Sequence, residues 1–187
     1  MEPKELRTKR WIETFVNKYL KSSKLPIGPY DKDALYDVFV SHSSSDREFI
    51  RKVQLFLYHD KGGIQAYVDW QDPNMQHPTD AQTALLLKER IKGAKKLIYV
   101  VTNDSLKSVW CSWELGFADS EKGVENVAIL AVKPNNGRWK HNEYLQQYPW
   151  IIFDEQDKQF QIIMPTGKKM SLYEWLSKKN YNIKSIR

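Results

Sequence analysis

The segment 97-LIYVVT-102 carries apolar side chains at both sets of alternating positions, so a strand built from it has no face fit for water. A strand buried on both faces belongs at the centre of a parallel sheet, with helices covering each side. The flanking sequence fits that demand. The segment 36-YDVFVS-41 reads as a strand, and Ser45-x-x-Glu48 reads as a capping box opening a helix with Phe49, Ile50, Val53, Phe56 and Leu57 turned inward. Gly62-Gly63 closes that helix. A second strand, 64-IQAYVD-69, leads into the loop 70-WQDPNMQHP-78, and Thr79-x-x-Gln82 starts a helix that runs to about Gly93. After the 97–102 strand come a helix around Glu114 and a further strand, 127-VAILAV-132.

Beyond residue 132 the alternation loosens. The segments 150-WIIF-153 and 160-FQIIM-164 read as short strands, joined as a hairpin across the polar 154-DEQDKQ-159. A last short helix is expected from Ser171, with Glu174 completing its capping box. No internal repeat and no low-complexity segment interrupts the pattern. The expected class is α/β, with a central parallel sheet and helices on both faces.

Residues 1–33 read as a separate element. Trp11, Ile12, Phe15, Val16, Tyr19 and Leu20 recur at helical spacing, and 22-SSKLPIGPYDKD-33 follows as a linker broken by Pro26, Gly28 and Pro29. Such a helix either packs on the main domain, 34–187, or serves to pair chains and bind partners. Both readings stand at this point.

Bulk composition narrows the function classes. Of the 187 residues, 41% are hydrophobic and 28% charged, which supports a folded core. The net charge of +6 suits an anionic ligand, but the lysines come in pairs rather than one basic run, so nucleic acid is not an expected partner. Cys111 is the only cysteine, which fits a reducing compartment. The charged start MEPKELRTKR lacks the apolar core of a signal peptide, and the run at 127–132 is too short to cross a bilayer. A cytoplasmic protein without membrane contact is the expectation.

Ligands of open parallel sheets bind outside the carboxyl ends of the strands, where the strand order reverses. The positions to inspect are therefore Ser41 to Ser44, then Asp69 and Trp70, then Asn103 to Ser105. The helix 109-VWCSWELGFADS-120 follows and places Trp110 and Glu114 four residues apart, on one helical face. Read alone, that pair is either a core indole beside a surface acid, or a flat platform beside a working carboxylate.

Together 37-DVFVSHSSSD-46, 67-YVDWQDP-73 and 110-WCSWELGFAD-119 resemble a bacterial Toll/interleukin-1 receptor (TIR) domain, in order and spacing, over roughly residues 35 to 165. The resemblance implies a flavodoxin-like sheet of about five strands. For many bacterial members it also implies cleavage of the nicotinamide–ribose bond of NAD+, with Glu114 catalytic and Trp110 its aromatic partner. NAD+ is then the substrate, and no cofactor or metal is called for. His42, Ser43, Ser44, Asp69, Trp70 and Ser105 are the remaining substrate-binding candidates. His42 stands where many members carry an aromatic, and is either a ring beside the pocket or a loop histidine. Ser43 and Ser44 replace the basic residues of other members, which leaves phosphate contacts to hydroxyls and backbone N–H groups. The loop from Asp69 is expected to cover the pocket and mediate self-association. Chains of this kind often work beside a separate effector protein that senses a nucleotide signal in anti-phage defence, as in Thoeris systems.

The chemistry supports the pairing independently. Departure of a cationic nicotinamide leaves an oxocarbenium-like ribose, which a carboxylate stabilises or grips through the ribose hydroxyls. An indole face offers stacking to a flat base. Other chemistries lack their residues: there is no G-x-x-x-x-G-K-[ST], G-x-G-x-x-G or G-x-S-x-G, and His42, His59, His77 and His141 have no metal-ligand spacing. Asp46 is expected to support a helix start, Trp113 and Phe117 to lie in the core, and Cys111 to be buried. Two rivals remain. One is a non-enzymatic TIR adaptor, and the other a nucleoside deoxyribosyltransferase-like enzyme, which also sets a glutamate against a sugar.

Overall fold

The computed structural model describes residues 6–20, 31, 34–60, 62–75, 81–134 and 142–178. The sheet is built on strands β1 (Arg7–Thr8), β2 (Val38–Ser41), β3 (Ala66–Tyr67), β4 (Lys96–Val101), β5 (Val127–Lys133), β6 (Trp150–Asp154), β7 (Gln159–Ile163) and β8 (Lys169–Ser171). Among the described residues five α-helices accompany it: α1 (Lys9–Leu20), α2 (Arg47–Asp60), α3 (Ala81–Gly93), α4 (Val109–Lys122) and α5 (Leu172–Ser177). The strand order is β3-β2-β4-β5-β6-β7-β8, with β1 pairing β5. The first five of that path run parallel, and β7 and β8 continue the sheet antiparallel. This is flavodoxin-like order, and it reverses between β2 and β4.

Alternation along the central strands divides the core into two layers. Val38, Val40, Ile98, Val100, Ala128 and Leu130 face one side, where α1, α2 and α5 supply Ile12, Val16, Phe49, Val53 and Trp175. Phe39, Leu97, Tyr99, Val101 and Ile129 face the other, against Leu87 and Ile91 of α3 and Cys111, Leu115 and Ala118 of α4. Burying each such aliphatic side chain stabilises the fold by about 1.5–3 kcal/mol.

The amphipathic face of α1 is packed into the first layer. Ile12 and Val16 are buried, Trp11 stacks on Phe15, and Phe15 meets Phe153 and Phe160 edge-on. The helix starts at Lys9, because Arg7 and Thr8 pair with Val132 and Lys133. The linker after it lies largely outside the described residues, as does Thr79.

Several local expectations are corrected. The opening of α2 is a 3-10 turn, Ser44–Asp46, whose cap is Ser43, not Ser45. Strand β3 keeps only two of the six residues that read as strand, because Asp69–Gln71 turns at once into a 3-10 helix. At the far edge β8, polar in sequence, is an additional strand. Two closures hold as read. Gly62 and Gly63 take positive φ at the end of α2, with Gly63 N–H donating to the Tyr58 carbonyl, and the Ser171 hydroxyl accepts from Glu174 N–H to start α5.

Candidate active site

At the reversal between β2 and β4, the last residue of β2 meets the second turn of α4. Ser41, fully buried, donates its hydroxyl to Glu114 Oε2 at 2.5 Å. Glu114 is 6% exposed, and burial pushes its carboxyl up to about 8. The Ser41 hydroxyl pulls the other way, and the nearby Asp69 charge adds to the rise. Helix α4 is held in place by its cap, where Ser108 Oγ accepts from Cys111 N–H, and by the Cys111 thiol, which donates to the His42 carbonyl at 3.2 Å. That thiol is itself pushed up to about 11 by burial, which keeps it inert at neutral pH.

His42, Asp69 and Trp70 form a cluster, with Asp69 close enough for its charge to act on Glu114. His42 Nδ1 lies 2.9 Å from the Val40 carbonyl, which assigns the proton to Nδ1 and turns Nε2 toward Asp69 Oδ1 at 3.5 Å. Burial holds the His42 pKa below its ordinary value, with Asp69 opposing. The imidazole meets the Trp70 ring edge-on at 4.7 Å, and Asp69 Oδ1 also accepts from Trp70 N–H. Of the two readings open for His42, the packed ring describes it.

Trp110 is half-buried on α4 and meets Trp113 edge-on at 5.6 Å. Trp113 stacks on Phe117, with the Lys88 ammonium over both rings. These two rings pack against the second core layer and remain partly exposed, so the expectation of a core position is met only on their inner side.

Other candidates occupy different roles in the local structure. Ser43 caps the 3-10 turn, and Ser44 is exposed on it. Ser105 is fully buried: its hydroxyl donates to the Thr102 carbonyl and accepts from Thr102 N–H, bracing the turn after β4. Asp46 does more than support a helix start. It is buried, and it accepts from Lys9 Nζ at 2.9 Å and from Thr102 Oγ1 at 2.8 Å. The loop after β3 is not irregular but forms two 3-10 turns, Asp69–Gln71 and Pro73–Met75. Between them Asp72, fully buried, accepts from Tyr67 Oη, Arg90 Nε and Asn74 N–H. Pro73 is exposed, beside a groove lined by Gln82, Leu85 and Leu86, whereas Met75 packs on the second core layer. Residues 76–78 of this loop lie outside the described residues.

Sequence reading missed three anchors: Ser41 as the partner of Glu114, Asp46 as a bridge, and Asp72 as the loop's buried post. An acid in a polar stretch reads as surface, and only the distant partners Thr102, Lys9 and Arg90 reveal otherwise. Among the described residues no group of three or more His, Cys, Asp or Glu side chains could hold a metal ion, and no helix is long and apolar enough to cross a membrane.

The flavodoxin-like strand order is the fold that the sequence resemblance implies. The TIR domain family model matches residues 38–164, and the chain belongs to that family. It is 36% identical over 126 residues to the probable 3′ cyclic ADP-D-ribose synthase ThsB′ of Bacillus cereus (strain MSX-D12), covering 65% of this chain and 63% of that protein. It is 33% identical over 121 residues to the putative cyclic ADP-D-ribose synthase TIR2 of Cytobacillus dafuensis, covering 56% of this chain and 31% of that one. The aligned stretch is thus less than two thirds of either relative's length. Among solved structures, the TIR domain of the Toll-related receptor TRR-2 of Hydra magnipapillata aligns at a TM-score of 0.46 and 20% identity, over 65% of this chain and 87% of that one.

Proposed function

We propose that this protein cleaves the nicotinamide–ribose bond of NAD+ and converts the ADP-ribosyl group into a cyclic or hydrolysed nucleotide. The carrying observation is the buried Glu114 carboxyl at the strand reversal, 2.5 Å from Ser41. The names of the two relatives, both cyclic ADP-D-ribose synthases, support the same reading.

In the unliganded site Glu114 is poised between its two protonation states near neutral pH. A bound nicotinamide ring carries a positive charge, which favours the carboxylate. As the bond breaks, its electron pair leaves with the nicotinamide nitrogen and positive charge builds on the ribose. The Glu114 carboxylate stabilises that charge or holds the ribose hydroxyls. Water or a nucleophile within the same nucleotide then forms the new bond and releases a proton. Trp110 offers a stacking face, and His42, Asp69 and Trp70 are the further residues assigned to the substrate. Ser43, Ser44 and backbone N–H groups of the turn after β2 are left for the phosphates.

The site works in the cytoplasm, without a cofactor. It is completed by self-association through the exposed turn at Pro73, and its product signals to a separate effector protein in anti-phage defence. Incubation of the pure protein with NAD+, with products resolved by mass, tests the reaction. Release of nicotinamide with a cyclic or linear ADP-ribose is the expected result. Intact NAD+ alongside turnover of deoxynucleosides would transfer the assignment to the deoxyribosyltransferase class.

A further inference from the structure

We propose that Ser41 is a positioning residue whose hydroxyl orients Glu114 and favours the carboxylate form that NAD+ cleavage needs. The inference rests on the reading of Glu114 given above and adds a residue to it.

The argument begins with the supply of donors. Glu114 is buried between α4 and the end of β2, and the only hydrogen bond it receives among the described residues comes from Ser41, to Oε2. Among the described residues Oε1 receives none, and the proposal assigns that oxygen to substrate. A hydroxyl donated to a carboxylate favours the charged form, whereas burial favours the neutral one. The titratable groups around the pair are Asp69 from the turn after β3, His42 at the end of β2, Tyr99 on β4 and Cys111 on α4 itself. Asp69 disfavours the Glu114 charge, Tyr99 and Cys111 are held neutral by burial, and no group on α3 or β5 adds to these. Among the described residues Ser41 is therefore the one side chain that opposes protonation of the acid.

Its backbone placement suits the task. Ser41 ends β2 in register with Tyr99 of β4, while β3 pairs with the strand two and three residues earlier, at Val38 and Phe39, so the Ser41 Cα is held by the sheet through β4 rather than by a loop. The residue is 1% exposed, and its side chain points into the second layer with Phe39, toward α4. An oxygen anchored this way also fixes the rotamer of the glutamate, since one carboxylate oxygen is pinned while the other stays open.

The test is the pH profile of kcat and KM for NAD+ in the parent, Ser41→Ala, Ser41→Cys and Glu114→Gln, with thermal melts of each. Loss of a charge-assisted hydrogen bond moves the rising limb of the Ser41→Ala profile up by about one to two pH units. Activity at pH 7 then falls by about 10- to 100-fold and recovers at alkaline pH, with KM little changed. Ser41→Cys, whose thiol is a weak donor, falls between parent and alanine, and serves as the probe should the alanine variant fail to fold. A limb that stays at the parent position in both variants, whether the rate is unchanged or uniformly reduced, overturns the inference. Glu114→Gln separates the two readings. If it is inactive while the Ser41 variants keep the parent profile, only the role of Ser41 is lost; if it retains parent activity, the assignment of Glu114 itself fails.

Discussion

The ammonium of Lys9 on α1 lies 2.9 Å from the buried carboxylate of Asp46, which also holds the Thr102 hydroxyl. An N-terminal helix is thereby tied to the turn after β2 and to the end of β4, both of which frame the candidate site. Lys9→Met should lower stability by about 1–3 kcal/mol, because it strands part of the buried charge. Adding Asp46→Asn should remove most of that cost, which a double-mutant cycle by chemical denaturation measures. Additive losses would mean that the ion pair carries no coupling.

Glu114→Gln should remove NAD+ cleavage by about 10²–10³-fold while the fold persists. The same variant should be the more stable protein at high pH. The folded pKa of Glu114, about 8, lies above the ordinary 4.5, so the folded state holds the proton more tightly than the unfolded chain. The stability this group contributes is complete below about pH 4.5 and is lost as pH rises through about 8. Melts at pH 5 should coincide, and at pH 9 the glutamine variant should gain on the order of 2–4 kcal/mol. A coincidence of the two melts at pH 9 would contradict the buried, proton-bound state.

The pH dependence of kcat/KM should show a rising limb near 8, the value to which burial carries Glu114 in the free protein. Steady-state assays from pH 5 to 10 locate it. A limb near 4.5 would describe a solvated acid.

The central frame was legible because burial on both faces leaves a strong mark: Leu97 to Val101 and Val127 to Val132 are apolar throughout. The hairpin of β6 and β7 was legible for a similar reason, with the polar run from Asp154 as its turn. Elements that depend on distant partners were not. Arg7 and Thr8 pair with β5 over two residues, and Lys169 to Ser171 carry no apolar alternation. At the site, the Trp110–Glu114 spacing singled out the acid, but its hydroxyl partner stands 73 positions away and no local pattern links the two. Ser105, chosen as a strand-end residue, spends its hydroxyl on its own turn.

Trp110→Ala should weaken NAD+ binding by about 1–3 kcal/mol, the range for a stacked base. Trp113→Ala should leave KM unchanged and lower the melting temperature, because that ring stacks on Phe117 beneath Lys88. Kinetics and melts of the two variants in parallel decide it. A KM effect confined to Trp113 would reverse the roles of the two rings.

Specific activity should rise with protein concentration, and Pro73→Asp should flatten that rise while keeping the melting temperature. Pro73 is the better probe than Met75, since Met75 packs on the core and a charge there would damage the fold. Activity measured across a wide dilution series, with light scattering in parallel, checks both points. A flat series for the parent would describe a monomer with a complete site.

The two ends of the sheet bear on how copies of such a chain can associate at the concentrations those assays need. Among the described residues the outermost strands, β3 and β8, are two and three residues long. Edges that short give a neighbouring chain almost no row of unpaired amides to template on, and the centre of the sheet, where the β-prone sequence lies, is sealed on both flanks. Among the described residues, then, association of copies falls to side-chain surfaces, which part again on dilution, rather than to sheet growth, which does not.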